Sequence, residues 1–274
     1  MRITVLVENT AACPGLITEH GLSMHIGWKG GNLMMDFGHK GAVTENAKAL
    51  GVDLTGADMG VLSHGHFDHG GGIAAFREVN PAMPIYVQKE AFDQYWASRV
   101  DGSVEYIGLD AALLRDENIR SVSGVTELGA GALLADGITG RKLYSRANDS
   151  LLMKTERGLE PDLFRHEQLL FLPNGSGYVL FSGCAHNGIV NVMERAAAVW
   201  GKAPGAVFGG FHLADPTSSR GYDPELTDAI GRELLKYPTR YFTCHCTGVA
   251  AYGVLQKTMG DAVAYAACGD VIEL

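Results

Sequence analysis

The sequence predicts a layered α/β fold, and three observations carry that expectation. Short β-branched runs alternate with helical stretches toward both ends of the chain, from "RITVLVEN" to "RYFTCHC". Of the 274 residues, 46% are hydrophobic and 19% charged, enough apolar side chain for a substantial core. No repeat, low-complexity tract or proline-rich linker divides the chain. Residues 1–274 therefore read as a single domain, with a variable, pocket-shaping region at about 100–150.

Each element has its own signal. "RITVLVEN" is a strand by its β-branched content, and "SMHIGWKGGNLMMDFG" holds two apolar runs split by Lys29-Gly30-Gly31, the pattern of a hairpin ending at Asp36. "AVTENAKALG" has helical composition and a stop at Gly51. "DMGVLSH" is a short strand running straight into "HGHFDHGGG", after which "GIAAFREVN" returns to helical spacing; the unit is strand, tight polar loop, helix. "PIYVQ" reads as a strand and "KEAFDQYWASR" as a helix. Between Val100 and Ser150 the pattern weakens, with "SVEYIGL" and "ITGRKLYS" as strand-like pieces of either a lid or ordinary surface hairpins. "QLLFLPNGSGYVLFSGCAH" is two antiparallel strands around Asn174-Gly175-Ser176-Gly177. Then come a helix "IVNVMERAAAVWG", a strand "GAVFGGFH", a helix capped by Asp223 with Pro224 in its first turn, and the strand "RYFTCHC".

Charge and cysteines narrow the function. Twenty-two Lys+Arg against 31 Asp+Glu give a formal charge of −9, and no basic run is present, so a nucleic-acid partner is not expected. Neither a signal-like start nor an apolar run of roughly 18 residues is found; the expectation is a soluble cytoplasmic protein with no membrane partner. The five cysteines are odd in number and scattered, which suits free thiols. Cys244-His245-Cys246, with one residue between its cysteines, lies outside zinc-finger spacing.

The chemistry concentrates in "SHGHFDHGGG", which puts His64, His66, Asp68 and His69 within six residues. In extended backbone His64 and His66 leave on the same side and can reach one ion. Asp68 and His69 lie just beyond, where the chain turns, and point to a second ion. Imidazole and carboxylate suit zinc first, with manganese or iron as alternatives. Two such ions about 3.5–4 Å apart can hold a bridging hydroxide and clamp the attacking and leaving oxygens of an acyl or phosphoryl centre. A merely solvated histidine loop is the plain alternative, and four ligand-type residues directly after a strand argue against it. His186, His212 and His245 each lie at or just beyond the end of a predicted strand, where loops meet at one edge; spacing does not rank them.

"SHGHFDHGGG" matches the His-x-His-x-Asp-His signature of the metallo-β-lactamase superfamily. "EHGLSMHI", "MDFG", "SGCAHNGIVN", "GGFHL" and "HCTG" resemble its branch of 7,8-dihydropterin-6-methyl-4-(β-D-ribofuranosyl)aminobenzene-5'-phosphate synthase-like, metal-dependent hydrolases. The resemblance implies a four-layer αββα sandwich with two divalent metals at one edge of the paired sheets. It further implies His64, His66 and His186, the last favoured over His166, as ligands of the first metal, and Asp68, His69 and His245 as ligands of the second. Cys184 stands where the superfamily has a bridging aspartate, so either its thiolate replaces that ligand or the second ion binds weakly. Asp68 and His212 are the catalytic candidates, Asp68 orienting water or accepting its proton and His212 handling a proton. Asp36 is placed to accept the free N–H of a ligating imidazole; Glu19 and His20, in a hairpin that could cover the metal edge, read as structural. Gly70 to Gly72 permit close backbone packing beneath the cluster.

The implied activity is metal-dependent hydrolysis of a small anionic substrate, phosphate- or ester-containing, by metal-activated water. The alternative is a synthase-type transferase whose metals bind a leaving diphosphate. A di-iron redox protein fits less well, because that use normally needs an acidic residue in the metal set together with an attached electron-transfer domain, and no flavin module is recognisable. The partner is a small molecule, and a homodimer suits an acidic globular enzyme of this size.

Overall fold

A computed structural model describes residues 1–214 and 222–274. In its first sheet β1 (Arg2–Val7), β2 (Ser23–Trp28) and β3 (Gly31–Met35) form an antiparallel meander. β4 (Met59–Leu62), β5 (Ile85–Gln88) and β8 (Ile119–Val122) continue it in parallel, and β18 (Val271–Glu273) pairs with β1 at the other edge. The second sheet is built on the hairpin β13 (Leu169–Asn174) and β14 (Gly177–Ser182), which closes at the Asn174–Gly177 pair as its turn residues predict. From β14 the strands β15 (Ala206–Gly209), β16 (Arg240–Thr243) and β17 (Val263–Tyr265) run parallel; β10 (Ala132–Ala135) and β9 (Val125–Gly129) extend the opposite edge. A third, four-stranded sheet has the order β12 (Gly158–Pro161), β11 (Leu151–Thr155), β6 (Tyr95–Ser98), β7 (Val104–Tyr106).

The two larger sheets face each other. Val5, Met24, Ile26 and Leu33 of the first pack with Leu170, Val179, Phe181 and Phe208 of the second. On the outer face of the first lie α1 (Ala42–Leu50) and α3 (Ile73–Val79), through Val43, Ala47 and Phe76, with the short α2 (Phe67–Gly70) between them in sequence. On the outer face of the second lie α4 (Ile189–Trp200), α5 (Pro224–Leu234) and α6 (Val249–Met259). The layers run α, β, β, α, and strands covered on both faces read as unbroken apolar runs, "LLFL" in β13 being the plainest. Asp223 caps α5 by accepting the Leu226 N–H, and Gly51 ends α1 in the left-handed region, both as expected. No helix among the described residues is long and apolar enough to cross a membrane.

Two expected elements are corrected. "KEAFDQYWASR" is not a helix: its Tyr95–Ser98 part is β6, where Tyr95 and Ala97 are buried and Trp96 and Ser98 less so. That alternation has period two, and pairing with β7 and β11 overrides the helical composition. "ITGRKLYS" holds no strand; it is a connection leading into a 3₁₀ turn at Arg146–Ser150. The weakness of the pattern from 100 to 150 has a cause. β8 and β9 are edge strands with little fully buried surface, yet they complete the two large sheets, while β7 belongs to the small sheet. The glycines after the cluster do allow close packing, since a Cβ on Gly72 would stand 2.0 Å from the Phe37 carbonyl oxygen.

Candidate metal centre

The parallel strands of both large sheets end at a common edge. Asp36 follows β3, Ser63 to His69 follow β4, Cys184 to His186 follow β14, His212 follows β15, and His245 and Cys246 follow β16. Loops at the carboxyl ends of such strands are where ligands of open α/β sheets bind. Asp36, Ala185, His212 and His245 have φ of 60, 51, 45 and 51°, so four of these loops turn sharply through the left-handed region at non-glycine residues, a conformation kept only where the surroundings enforce it.

His64, His66 and His186 have ring nitrogens within 4.8 Å of one another. Their hydrogen bonds fix where the protons sit. Asp36 accepts the Ser63 hydroxyl at 2.8 Å, so that hydroxyl can only accept from His64 Nδ1, also at 2.8 Å. Asn148 donates its amide to the His186 carbonyl at 2.8 Å, which turns its Oδ1 to His186 Nδ1 at 3.0 Å. Both imidazoles thus carry the proton on Nδ1 and present bare Nε2 atoms 3.3 Å apart. Burial, followed by neighbouring histidines, holds the pKa of each well below the usual 6.5, so no extra proton lies between them. A cation fits that gap: two nitrogens about 2.0–2.1 Å from one tetrahedral ion stand about 3.4 Å apart. His66 Nε2 is likewise buried without a hydrogen-bond partner, and burial lowers its pKa to about 3.

Asp68, His69 and His245 gather beside this group. Asp68 Oδ2 is 3.2 Å from His245 Nε2 and 3.8 Å from His69 Nε2. Asn9 Oδ1 faces His245 Nδ1 at 2.8 Å, which places the proton there and leaves Nε2 buried and unpartnered. Asp36 Oδ2 takes the His69 Nδ1–H at 2.7 Å, the contact expected of it. Burial opposes charge on His69, but Asp36 and then Asp68 outweigh it and lift its pKa to about 9; in the metal-free chain a proton stands on Nε2, 3.1 Å from Cys184 Sγ. Burial also opposes charge on Asp68, and His69 and then His20 outweigh that in turn, holding it well below the carboxylate range. Cys184 is the hub: its sulfur lies within 4.8 Å of ring nitrogens of His64 and His69, of His186 and His212, and of His245.

His166 is turned away from this role by its own bonds. Nδ1 accepts the Gly65 N–H at 2.9 Å and Nε2 meets Asp162 at 3.1 Å, so the ring braces the His64 loop. The His212 ring lies 4.2 Å from that of His186, tilted by 54°, and neither of its nitrogens, both buried, has a hydrogen-bond partner among the described residues. Beyond the histidines a cavity of about 340 Å³ opens, walled by Phe67, Ala97, Ile107 and Leu151, with Arg99 at its border paired to Glu105 at 2.6 Å.

Several partners escaped sequence reasoning. Glu8, fully buried, accepts the His245 N–H and the Tyr265 hydroxyl; Glu167 accepts the His186 and Asn187 N–H groups; Asn9 and Asn148 set ring tautomers. None is spaced from the motif in a recognisable way. The only local hint was a carboxylate closing a β-branched strand, at Glu8.

Comparison with known proteins bears on the fold. The family described as the metallo-β-lactamase superfamily matches residues 21–142, the histidine loop included. A protein of Methanocaldococcus jannaschii named 7,8-dihydropterin-6-methyl-4-(β-D-ribofuranosyl)-aminobenzene-5'-phosphate synthase is 29% identical over 77% of this chain and 74% of its own. An uncharacterised protein of the same organism is 27% identical over 93% of this chain and 94% of its own. The solved structure of Tm1679, described as a metal-dependent hydrolase of the β-lactamase superfamily, superposes with a TM-score of 0.80 at 25% identity, over 100% of this chain and 99% of that one. A signature loop at the rim of two packed sheets, a superfamily match over residues 21–142 and full-length likeness to a solved protein of that group give the chain a metallo-β-lactamase fold.

Proposed function

We propose that the protein is a metal-dependent hydrolase of a small substrate with a phosphate or ester group at its reacting end. The observation that carries this is the pair of bare Nε2 atoms of His64 and His186, 3.3 Å apart, with His186 and His66 lining an open cavity. His64, His66 and His186 would hold one divalent ion, and Asp68, His69 and His245 a second, with the Cys184 thiolate between them. Bound there, two ions, zinc first and manganese or iron as alternatives, would supply a water acidic enough to ionise near pH 7 and a Lewis acid for the oxygen under attack. Asp68, kept ionised by its imidazole neighbours, orients the attacking water or takes its proton. His212, its nitrogens uncommitted, supplies or receives a proton on the cavity side. The apolar wall excludes bulk water and accommodates the body of the substrate.

The test is His66→Ala with metal analysis. Bound metal should fall and turnover of phosphodiesters, thioesters or lactones should vanish while circular dichroism keeps the folded spectrum. Persistence of both metal and turnover would overturn the assignment. The likeness to the named synthase supports a second reading, a transferase in which the same residues hold ions that bind a leaving diphosphate. Incorporation of labelled water oxygen into product marks the hydrolase, and diphosphate release from pterin phosphates the transferase.

A further inference from the structure

The Glu19-His20-Gly21 loop is fastened over the site. The Glu19 carboxylate accepts the His39 N–H at 2.9 Å and the Lys40 N–H at 3.2 Å. Gly21 passes so close to the cluster that a Cβ there would stand 2.5 Å from the Asp68 carbonyl oxygen, which only glycine tolerates. His20 is thereby held with Nε2 3.2 Å from Asp68 Oδ2 and its ring 4.7 Å from that of His245. By distance alone His20, Asp68 and His245 make a further candidate ligand group.

Asn9 separates the two imidazoles. Its Oδ1 accepts the Gly21 N–H at 3.4 Å and faces His245 Nδ1 at 2.8 Å, which sets its Nδ2 against His20 Nδ1 at 3.3 Å. An amide nitrogen donates and an amide oxygen accepts. His245 therefore carries its proton on Nδ1 and offers a lone pair at Nε2, whereas His20 accepts at Nδ1 and carries its proton on Nε2. One asparagine gives neighbouring rings opposite faces. The His20 side chain is 45% exposed against 0% for His245, so it is also the ring open to a bound molecule, and it lines the cavity.

We propose that His20 is a catalytic hydrogen-bond donor, its Nε2–H shared between Asp68 Oδ2 and the oxygen of the departing group, and not a metal ligand. The catalytic half rests on the hydrolytic reading; the tautomer stands on Asn9. No bond to His20 forms or breaks: negative charge growing on the leaving oxygen strengthens the contact already made.

Zinc-loaded protein tests it in three arms. In His20→Ala and His20→Gln, zinc stoichiometry should equal that of the wild type, with only the affinity of the step that uses Asp68 weakened, about 10- to 100-fold, whereas His245→Ala should lose one equivalent. Long-range ¹H–¹⁵N correlation of the wild type should show His20 protonated on Nε2 and His245 on Nδ1. With aryl phosphodiesters of graded leaving-group acidity, His20→Ala should lower kcat about 100-fold for the poorest leaving group and far less for the best, with His20→Gln recovering part of the loss. Loss of a zinc equivalent in His20→Ala, or a His20 proton on Nδ1, would overturn the tautomer assignment. A kcat unaffected by leaving group would overturn the catalytic role. If the wild type hydrolyses no ester at all, the hydrolytic reading and the catalytic half fall, and the zinc and NMR arms still decide whether His20 is a ligand.

Discussion

Asp36→Asn is the sharpest perturbation of the centre, because one carboxylate serves both metal groups. Asp36 Oδ1 accepts the Ser63 N–H at 2.7 Å, and Oδ2 accepts the Ser63 hydroxyl at 2.8 Å and the His69 Nδ1–H at 2.7 Å. An asparagine keeps its oxygen on the backbone N–H and puts an NH₂ where Oδ2 stood. His69 must then accept at Nδ1, which leaves its proton on Nε2, the atom proposed to ligate. Ser63, now receiving from Asn, donates to His64 Nδ1 and moves that proton to Nε2 as well. Loss of such an outer partner weakens metal affinity about 10- to 100-fold, or about 1.4–2.7 kcal/mol. Since one imidazole of each group is reversed, both binding steps should weaken. The metal-free fold should also lose about 1.5–3 kcal/mol with the charge-assisted bond to His69. The assay is zinc titration against a chromophoric chelator at pH 7.5, alongside thermal unfolding of the metal-free protein. Two binding steps both within threefold of the wild type, in a folded variant, would refute the tautomer argument.

Asn148→Leu reaches only His186 and should weaken one of the two zinc steps about 10- to 100-fold in the same titration. Cys184→Asp should remove the sulfur-to-cobalt charge-transfer absorption of the cobalt-substituted protein and change affinity at the second step; an unchanged second affinity would exclude the thiolate as a ligand. Metal-free stability should peak near pH 6.5 in urea titrations. His69, with its pKa lifted to about 9, stabilises fully below pH 6.5, and that contribution, about 3 kcal/mol, is lost as pH rises through 9. His66 behaves oppositely: neutral in the fold down to about pH 3, it leaves the unfolded chain to gain the proton, and stability falls by about 5 kcal/mol between pH 6.5 and 3. A flat profile across pH 6–9 would contradict the His69 contact.

Much of the fold was legible because its central strands are covered on both faces. Unbroken apolar runs in β13, β14 and β15, punctuated by Asn174-Gly175 and followed by capped helices, carry their signal locally. The edges were not legible. β8 and β9 are exposed along much of their length, so nothing in their composition separates them from surface loops; only pairing with β5 and β10 makes them strands. β6 failed for a related reason: its helical composition yields to two neighbours that come from later in the chain. At the site, the histidines that follow strands could be read because a strand end is a local signal. Their partners could not, since an asparagine at position 9 or 148 looks like any turn residue until the chain is folded.

Those partners explain why the site takes the form it does. An imidazole buried alone would be stable in either tautomer, with the free nitrogen seeking a donor. Here Ser63, Asn148 and Asn9 each present an acceptor to Nδ1, from three separate parts of the chain, so that lone pairs of His64, His186 and His245 converge where no donor is supplied. His64 and His186 stand 3.3 Å apart with no proton between them, an arrangement unfavourable in itself and compensated elsewhere by the packed sheets. Such a site opposes folding until a cation enters, and binding energy then becomes folding energy. Replacing His64 or His186 with an apolar residue of similar size should accordingly raise the stability of the metal-free protein while abolishing zinc binding. A site under selection for the scaffold's stability alone would show the reverse.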